Sequence, residues 1–348
     1  MKNNIDVIIV GGGLAGLHLA LKFYKEGLSF IVIDKYKEHS SSRIASGLIN
    51  PITGRRFVKT WLYDELQPVF VSEYQYWEKI FNSRFFKSID IYRAITDHRL
   101  VNDLDAKLSD YGELCRPMTA DELTLFQTLT SFPDLGYVFK GYQLDTITFL
   151  DRGIDFLKSK GIWYEDNFEI ESLDESQSSH RYKDYITNKV ILARGAHSTD
   201  SRGFTWPGFN INKGEVLKLS SPQLPLDSIL KQRLFLIPEG EEFWVGSYNT
   251  WECDNEEPTA GGKKYLIKHL DLMMKSPYEV RSHLAAFRPA TEDRRPIMGY
   301  HPSNHSIAIF NGFGSKGTSL IPYFANVFYQ FVFKNQELPT EVDIQRFY

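Results

Sequence analysis

The chain has 348 residues, 42% of them apolar and 24% charged, with a formal net charge of -4. That length exceeds what one hydrophobic core usually serves, so two lobes are expected, and the composition excludes a disordered chain. Basic pairs such as Arg55-Arg56 and Arg294-Arg295 are balanced by nearby acids and form no stripe, which excludes DNA as an expected partner.

Two cysteines, Cys115 and Cys253, stand far apart without ligand-spaced partners, so neither a disulfide framework nor a metal site is expected. The N-terminus enters an apolar strand directly, and every apolar run breaks well short of the ~20 residues that a membrane span needs. A soluble cytoplasmic protein with no membrane partner is therefore expected.

In chain order, Ile5 to Val10 reads as a β-branched strand, Leu14 to Glu26 as a helix, and Ser29 to Asp34 as a second strand, together one βαβ unit. A serine-rich turn and the segment ASGLINPITGRR follow, then a helix from about Leu62 to Phe81. Short strands near Ile89 to Ile95 lead to an N-cap at Thr119. Asp145 caps a helix that runs through Leu157 and stops at Gly161. Lys189 to Ala193 is another apolar strand, Gly214 to Tyr248 reads as an antiparallel sheet, and a glycine-rich loop from Asn311 to Gly317 precedes a helix from about Thr318 to Phe333.

The densest chemical signal lies near the start. Gly11, Gly13 and Gly16 have the spacing that a pyrophosphate cradle requires: one permits the tight turn, one lets backbone approach the phosphates, and one lets helix pack on strand. Helix-start amides then face the phosphates. Asp34 ends the second strand, where a carboxylate accepts hydrogen bonds from a ribose hydroxyl and disfavours a 2′-phosphate. The fingerprint leaves FAD and NAD both open.

Four segments resolve that choice by resemblance: IIVGGGLAG with Asp34, ASGLINP, VILARGAHS, and the C-terminal pair AAFRPATEDRRPIMG and NGFGSKGTSLIP. Together they resemble the D-amino acid oxidase-like FAD-dependent oxidoreductases, the group that includes glycine oxidase. The last loop is similar to the FAD domain of the bifunctional tRNA wobble-uridine modification enzyme of that family. The resemblance implies a mixed α/β fold, with a Rossmann-like FAD-binding domain in three parts (1–84, 142–212 and 288–348) and a discontinuous antiparallel-sheet substrate domain (85–141 and 213–287).

It also implies a cofactor site. Gly11, Gly13, Leu14, Ala15, Gly16, Asp34 and Lys35 belong to the nucleotide cradle, while Ser41, Ser42, Ser46, Gly47 and Leu48 lie along the phosphates and ring. Ala193 and Gly195 come from the central strand, and Ile170 offers backbone to the adenine. Gly312, Phe313, Gly314, Ser315, Lys316, Gly317 and Thr318 wrap the pyrimidine end, where the following helix and Lys316 stabilise negative charge on the reduced ring. On the substrate side, Arg288 matches the residue that grips a carboxylate through a planar fork. Phe235 stands where glycine oxidase has a tyrosine, which weakens the case for glycine itself. Tyr248 and Trp251 are candidate pocket residues.

The expected reaction is oxidation of a C–N bond in a small amine or amino acid by hydride transfer to FAD, giving an imine, without a dedicated general base. The electron acceptor, oxygen or another, stays open. Two alternatives accompany it. One is removal of a carboxymethyl group from a tRNA wobble uridine, disfavoured by the acidic net charge and the missing basic patch. The other is a non-catalytic flavin binder, disfavoured by an intact Arg288.

Overall fold

The computed structural model describes residues 3–348 apart from 55, 97–103, 105–106, 109, 170–178, 201–206, 226 and 253. The β-branched run at the start forms the strand Val7–Val10, every residue of it buried, and the helix Leu14–Lys25 returns the chain to the parallel strand Phe30–Asp34. These are the middle of a six-stranded sheet in the order Trp163–Glu165, Phe30–Asp34, Val7–Val10, Val190–Leu192, Asn304–Asn311 and Ile297–His301. All neighbours are parallel except the last pair. Strands covered on both faces are apolar throughout, which is why they read as continuous runs rather than alternating ones.

One face carries the helices Leu14–Lys25, Tyr63–Phe81 and Gly317–Lys334, packed through Leu17, Phe70, Trp77, Phe324 and Phe328. Burial of each such side chain contributes roughly 1.5–3 kcal/mol. The other face is covered by a small sheet containing Tyr185–Thr187 and His180–Tyr182, whose tyrosines join Ile8, Ile31 and Ile33 in a second cluster.

A nine-stranded sheet makes the rest of the scaffold. Its path runs from Glu279–Arg288 through Asn212–Ser220, Glu242–Thr250, Phe235–Glu239, Ser228–Lys231, Phe86–Ala94 and Gly136–Leu144 to Leu48–Ile49, and Cys115–Pro117 pairs with Gly136–Leu144. The sheet expected between Gly214 and Tyr248 is antiparallel, with one departure: Ser228–Lys231 lies parallel to Phe86–Ala94. The strand Gly136–Leu144 runs straight through the boundary expected at 141/142.

Helices Ala120–Leu129 and Ala260–Met273 cover one face of this sheet, and the opposite face carries a separate apolar cluster that includes Ile91, Phe139, Ile237 and Trp244. Local signals set the helix ends. Thr119 and Glu122 form a reciprocal capping box, and Asp145 Oδ1 accepts from Thr148 N at 3.0 Å, each cap worth about 1 kcal/mol. No helix among the described residues is long and apolar enough to cross a membrane.

Candidate active site

Gly11 leaves the first strand with φ +104, and a Cβ there would come within 2.5 Å of Ala193 O. A Cβ on Gly16 would stand 1.8 Å from Gly11 O, so the helix sits on the turn at a distance only glycine allows. Gly13 is the N-cap and has no side-chain cap, which leaves the first amides of the helix directed outward. One of them, Leu14 N, donates to Ser42 Oγ at 3.0 Å. Asp34 Oδ1 accepts from Gly12 N at 2.7 Å, while burial pushes the Asp34 carboxyl above its ordinary pKa.

A crevice lined by Gly11, Gly13, Asp34, Lys35, Ser41, Ser42 and Gly195 begins at this turn. Gly13, Ser41, Ser42 and Gly195 also border a larger cavity of about 390 Å³, so one continuous groove leads from Asp34 inward. The cavity wall includes Leu14, Ala15, Ser46, Gly47 and Leu48 on one side, and Phe313, Gly314, Ser315, Lys316, Gly317 and Thr318 on another. Gly47, at φ +67, lies against Leu144 O where a Cβ would come within 1.7 Å.

The C-terminal loop is held from two directions: Gly314 N donates to Pro289 O at 3.1 Å, and the buried Tyr74 hydroxyl donates to Thr318 O at 2.7 Å. Helix Gly317–Lys334 starts there without a side-chain cap, so its amides and the positive end of its dipole are available to an anion. Lys316 adds a cation whose pKa is lowered, first by burial and then by Arg295 and Arg294.

Arg288 ends the strand Glu279–Arg288 and borders the same cavity. Its guanidinium lies across Gly214, where a Cβ would be 2.4 Å from Nη2. Nη1 donates to Asn249 Oδ1 and, at 3.4 Å, to Asn212 Oδ1. Burial lowers its pKa, and no carboxylate among the described residues pairs with it. Of the described lining residues only Arg288 and Lys316 are charged; neither a carboxylate nor a histidine is among them. The groove thus fits an extended dinucleotide at the uncapped helix start, and its inner end has a positively charged wall.

A family model described as FAD dependent oxidoreductase (DAO) matches residues 6–330. The chain belongs to this family. FAD is accordingly the cofactor of this oxidoreductase. Solved structures with the same fold include glycine oxidase from Geobacillus kaustophilus, at TM-score 0.79 and 18% identity, covering 97% of this chain and 96% of that one. Iminodiacetate oxidase from Chelativorans sp. BNC1 matches at TM-score 0.78 and 18% identity, over 98% of each chain. The dithionite-reduced L-alpha-glycerophosphate oxidase from Mycoplasma pneumoniae, with FAD bound, matches at TM-score 0.76 and 15% identity, over 97% of this chain and 96% of that one.

In this FAD-dependent oxidoreductase most of the expected site residues converge on the groove, and the exceptions have physical reasons. Gly16 and Ala193 lie beneath the cradle, and Gly312 forms the turn before the C-terminal loop at φ +78. Phe235 lines the cavity, but Tyr248 and Trp251 do not. Tyr248 packs on Tyr265 with ring centroids 5.2 Å apart, and Trp251 is 59% exposed. The pairing of Glu242–Thr250 with Asn212–Ser220 has a β-bulge at Ser247, which resets the alternation: Trp244 before it and Ser247 and Asn249 after it line the cavity, and Tyr248 is turned away. The expected adenine contact, Ile170, lies outside the described residues.

Gly214, Asn212 and Asn249, which seat the guanidinium, were not singled out from the sequence. A glycine inside a strand marks a close approach and was the available signal.

Proposed function

We propose that this enzyme oxidises a C–N bond in a small amine or amino acid whose carboxylate is held by Arg288. The observation that carries this reading is a half-buried guanidinium at the cavity wall, seated by two asparagines and paired with no carboxylate among the described residues. A partly desolvated cation without a counter-charge is costly, and an anionic substrate group compensates it. Asn249 and Asn212 fix the plane of the fork, so a bound carboxylate is oriented and not merely attracted. Bound FAD supplies the two-electron oxidant that accepts a hydride.

The remaining work falls to the chain's own residues. Trp244, Ile237 and Phe235 exclude water from one side of the cavity. The described lining holds no carboxylate or histidine to abstract a proton from carbon, which favours hydride departure from a neutral amine. Lys316 and the helix start beside it would stabilise charge arriving at the ring. The iminodiacetate oxidase and glycine oxidase likenesses support the C–N reading at the level of fold. The switching of the chain between the two sheets supports the division into cofactor and substrate parts.

The test is anaerobic titration of the FAD-loaded protein with amines, amino acids and, as a control class, 2-hydroxy acids. Flavin bleaching by a carboxylate-bearing amine, lost in Arg288→Met, is the expected result. Bleaching by hydroxy acids alone would overturn the reading.

A further inference from the structure

Beyond Phe235 the same face of the large sheet carries two cations that the proposed reaction leaves unused. Lys231 stands opposite Arg93 in the parallel pairing of Ser228–Lys231 with Phe86–Ala94, and opposite Phe235 in the next pairing. Phe235 in turn stands opposite Gly246. Residues directly opposite share a face, so Arg93, Lys231 and Phe235 form one row, and Phe235 is a wall of the cavity.

The Lys231 ammonium rests 4.0 Å from the centroid of the Phe235 ring and donates to Arg233 O at 3.3 Å. The Arg93 guanidinium lies 4.2 Å from the centroid of the Phe57 ring and donates to Gly54 O at 2.8 Å, next to the lining residue Thr53. Neither cation pairs with a carboxylate among the described residues. Burial brings Arg93 down to about 10 and Lys231 to about 8, and Arg93 and Arg233 push Lys231 further in the same direction. Like charges opposite each other destabilise a sheet, and local rules are broken in this way chiefly at functional sites.

We infer that Arg93 and Lys231 form an anion-binding rim at the outer end of the substrate cavity, so that the preferred substrate carries a second carboxylate besides the one held by Arg288. This inference rests on the reading of Arg288 as a carboxylate anchor and narrows its substrate class to dicarboxylic amines or amino acids. The rim selects by charge: the Arg93 fork receives the distal carboxylate in plane, and the flexible Lys231 stem closes on it across the Phe235 ring.

The test uses redox-inert ligands, so that it does not depend on C–N chemistry. The FAD-loaded protein is titrated with glutarate and with pentanoate, a di- and a monocarboxylate of equal chain length, and with succinate and adipate to bracket the span. Perturbation of the flavin absorbance reports binding. The best diacid is expected to bind at least about tenfold more tightly than pentanoate. Lys231→Met and Arg93→Met should each remove most of that advantage and leave pentanoate affinity within about twofold of the parent.

Should a methionine variant fail to fold, Lys231→Gln and Arg93→Gln carry the same test. Equal affinity for di- and monoacids, an advantage that survives both substitutions, or no perturbation by any acid overturns the inference. A diacid advantage without bleaching by any amine would sink the C–N reading and leave the rim standing; amine bleaching without the advantage would do the reverse.

Discussion

Arg288 lies across Gly214 so closely that a methyl group on the glycine would stand 2.4 Å from Nη2. The two residues are on neighbouring strands, with Asn212 opposite Arg288 and Gly214 opposite Ala286. Gly214→Ala should therefore displace the guanidinium while sparing the cofactor groove. We expect KM for a carboxylate-bearing substrate to rise about tenfold or more, equivalent to ~1.4 kcal/mol, with FAD content unchanged. Steady-state kinetics with flavin quantitation checks this, and an unaltered KM would count against the placement of the anchor.

Arg288→Lys tests geometry rather than charge. A lysine keeps the cation but loses the planar fork that Asn249 and Asn212 hold. Losing the arginine's two parallel bonds should cost ~2–4 kcal/mol in kcat/KM for a carboxylate substrate, and less for an amine without a carboxylate. Comparing the two substrate types in one variant separates the effects.

Gly16→Val should prevent assembly of the cradle. Its Cβ would stand 1.8 Å from Gly11 O, a backbone atom that has nowhere to move. A loss of at least ~3 kcal/mol in stability is expected, together with colourless protein. Thermal melting and the flavin absorbance of the purified variant read both.

His18 sets an acid limit. Burial lowers its pKa to about 4, and the ring packs between Tyr74 and Phe149. The unfolded histidine titrates near 6.5, so below that pH the unfolded chain takes up a proton that the folded one refuses. The stability contribution is complete above 6.5 and is lost as pH falls toward 4. His18→Gln removes this difference, so its stability relative to the parent should improve by about 2 kcal/mol between pH 7 and pH 5. Urea unfolding at the two pH values measures it; a constant gap would contradict the buried neutral ring.

Lys316 should tune the flavin. Its pKa is lowered by burial and by Arg295 and Arg294, and it stands at the uncapped start of Gly317–Lys334. Lys316→Met should lower the two-electron potential by about 30 mV for each ~1.4 kcal/mol of lost stabilisation. Redox titration against a dye of known potential detects a shift of that size.

Local signals were legible in the sequence where they govern structure locally. The three glycines and Asp34, the caps at Thr119 and Asp145, and the helix that ends at Lys334 all depend on neighbours close in the chain. Pairing between distant strands was not legible. Nothing near Arg288 announces that Gly214 and Asn249 will seat it, because three strands must first align. Tyr248 and Asn249 show the limit most clearly: adjacent residues of one strand face opposite ways, and only the register decides which one meets the cavity.

The bond from Gly314 N to Pro289 O joins the glycine-rich loop before helix Gly317–Lys334 to the residue following Arg288. The proposed carboxylate anchor and the proposed ring seat therefore share one mechanical support. On that reading, re-spacing the guanidinium to admit a longer substrate would also strain the loop, coupling selectivity to driving force in this scaffold.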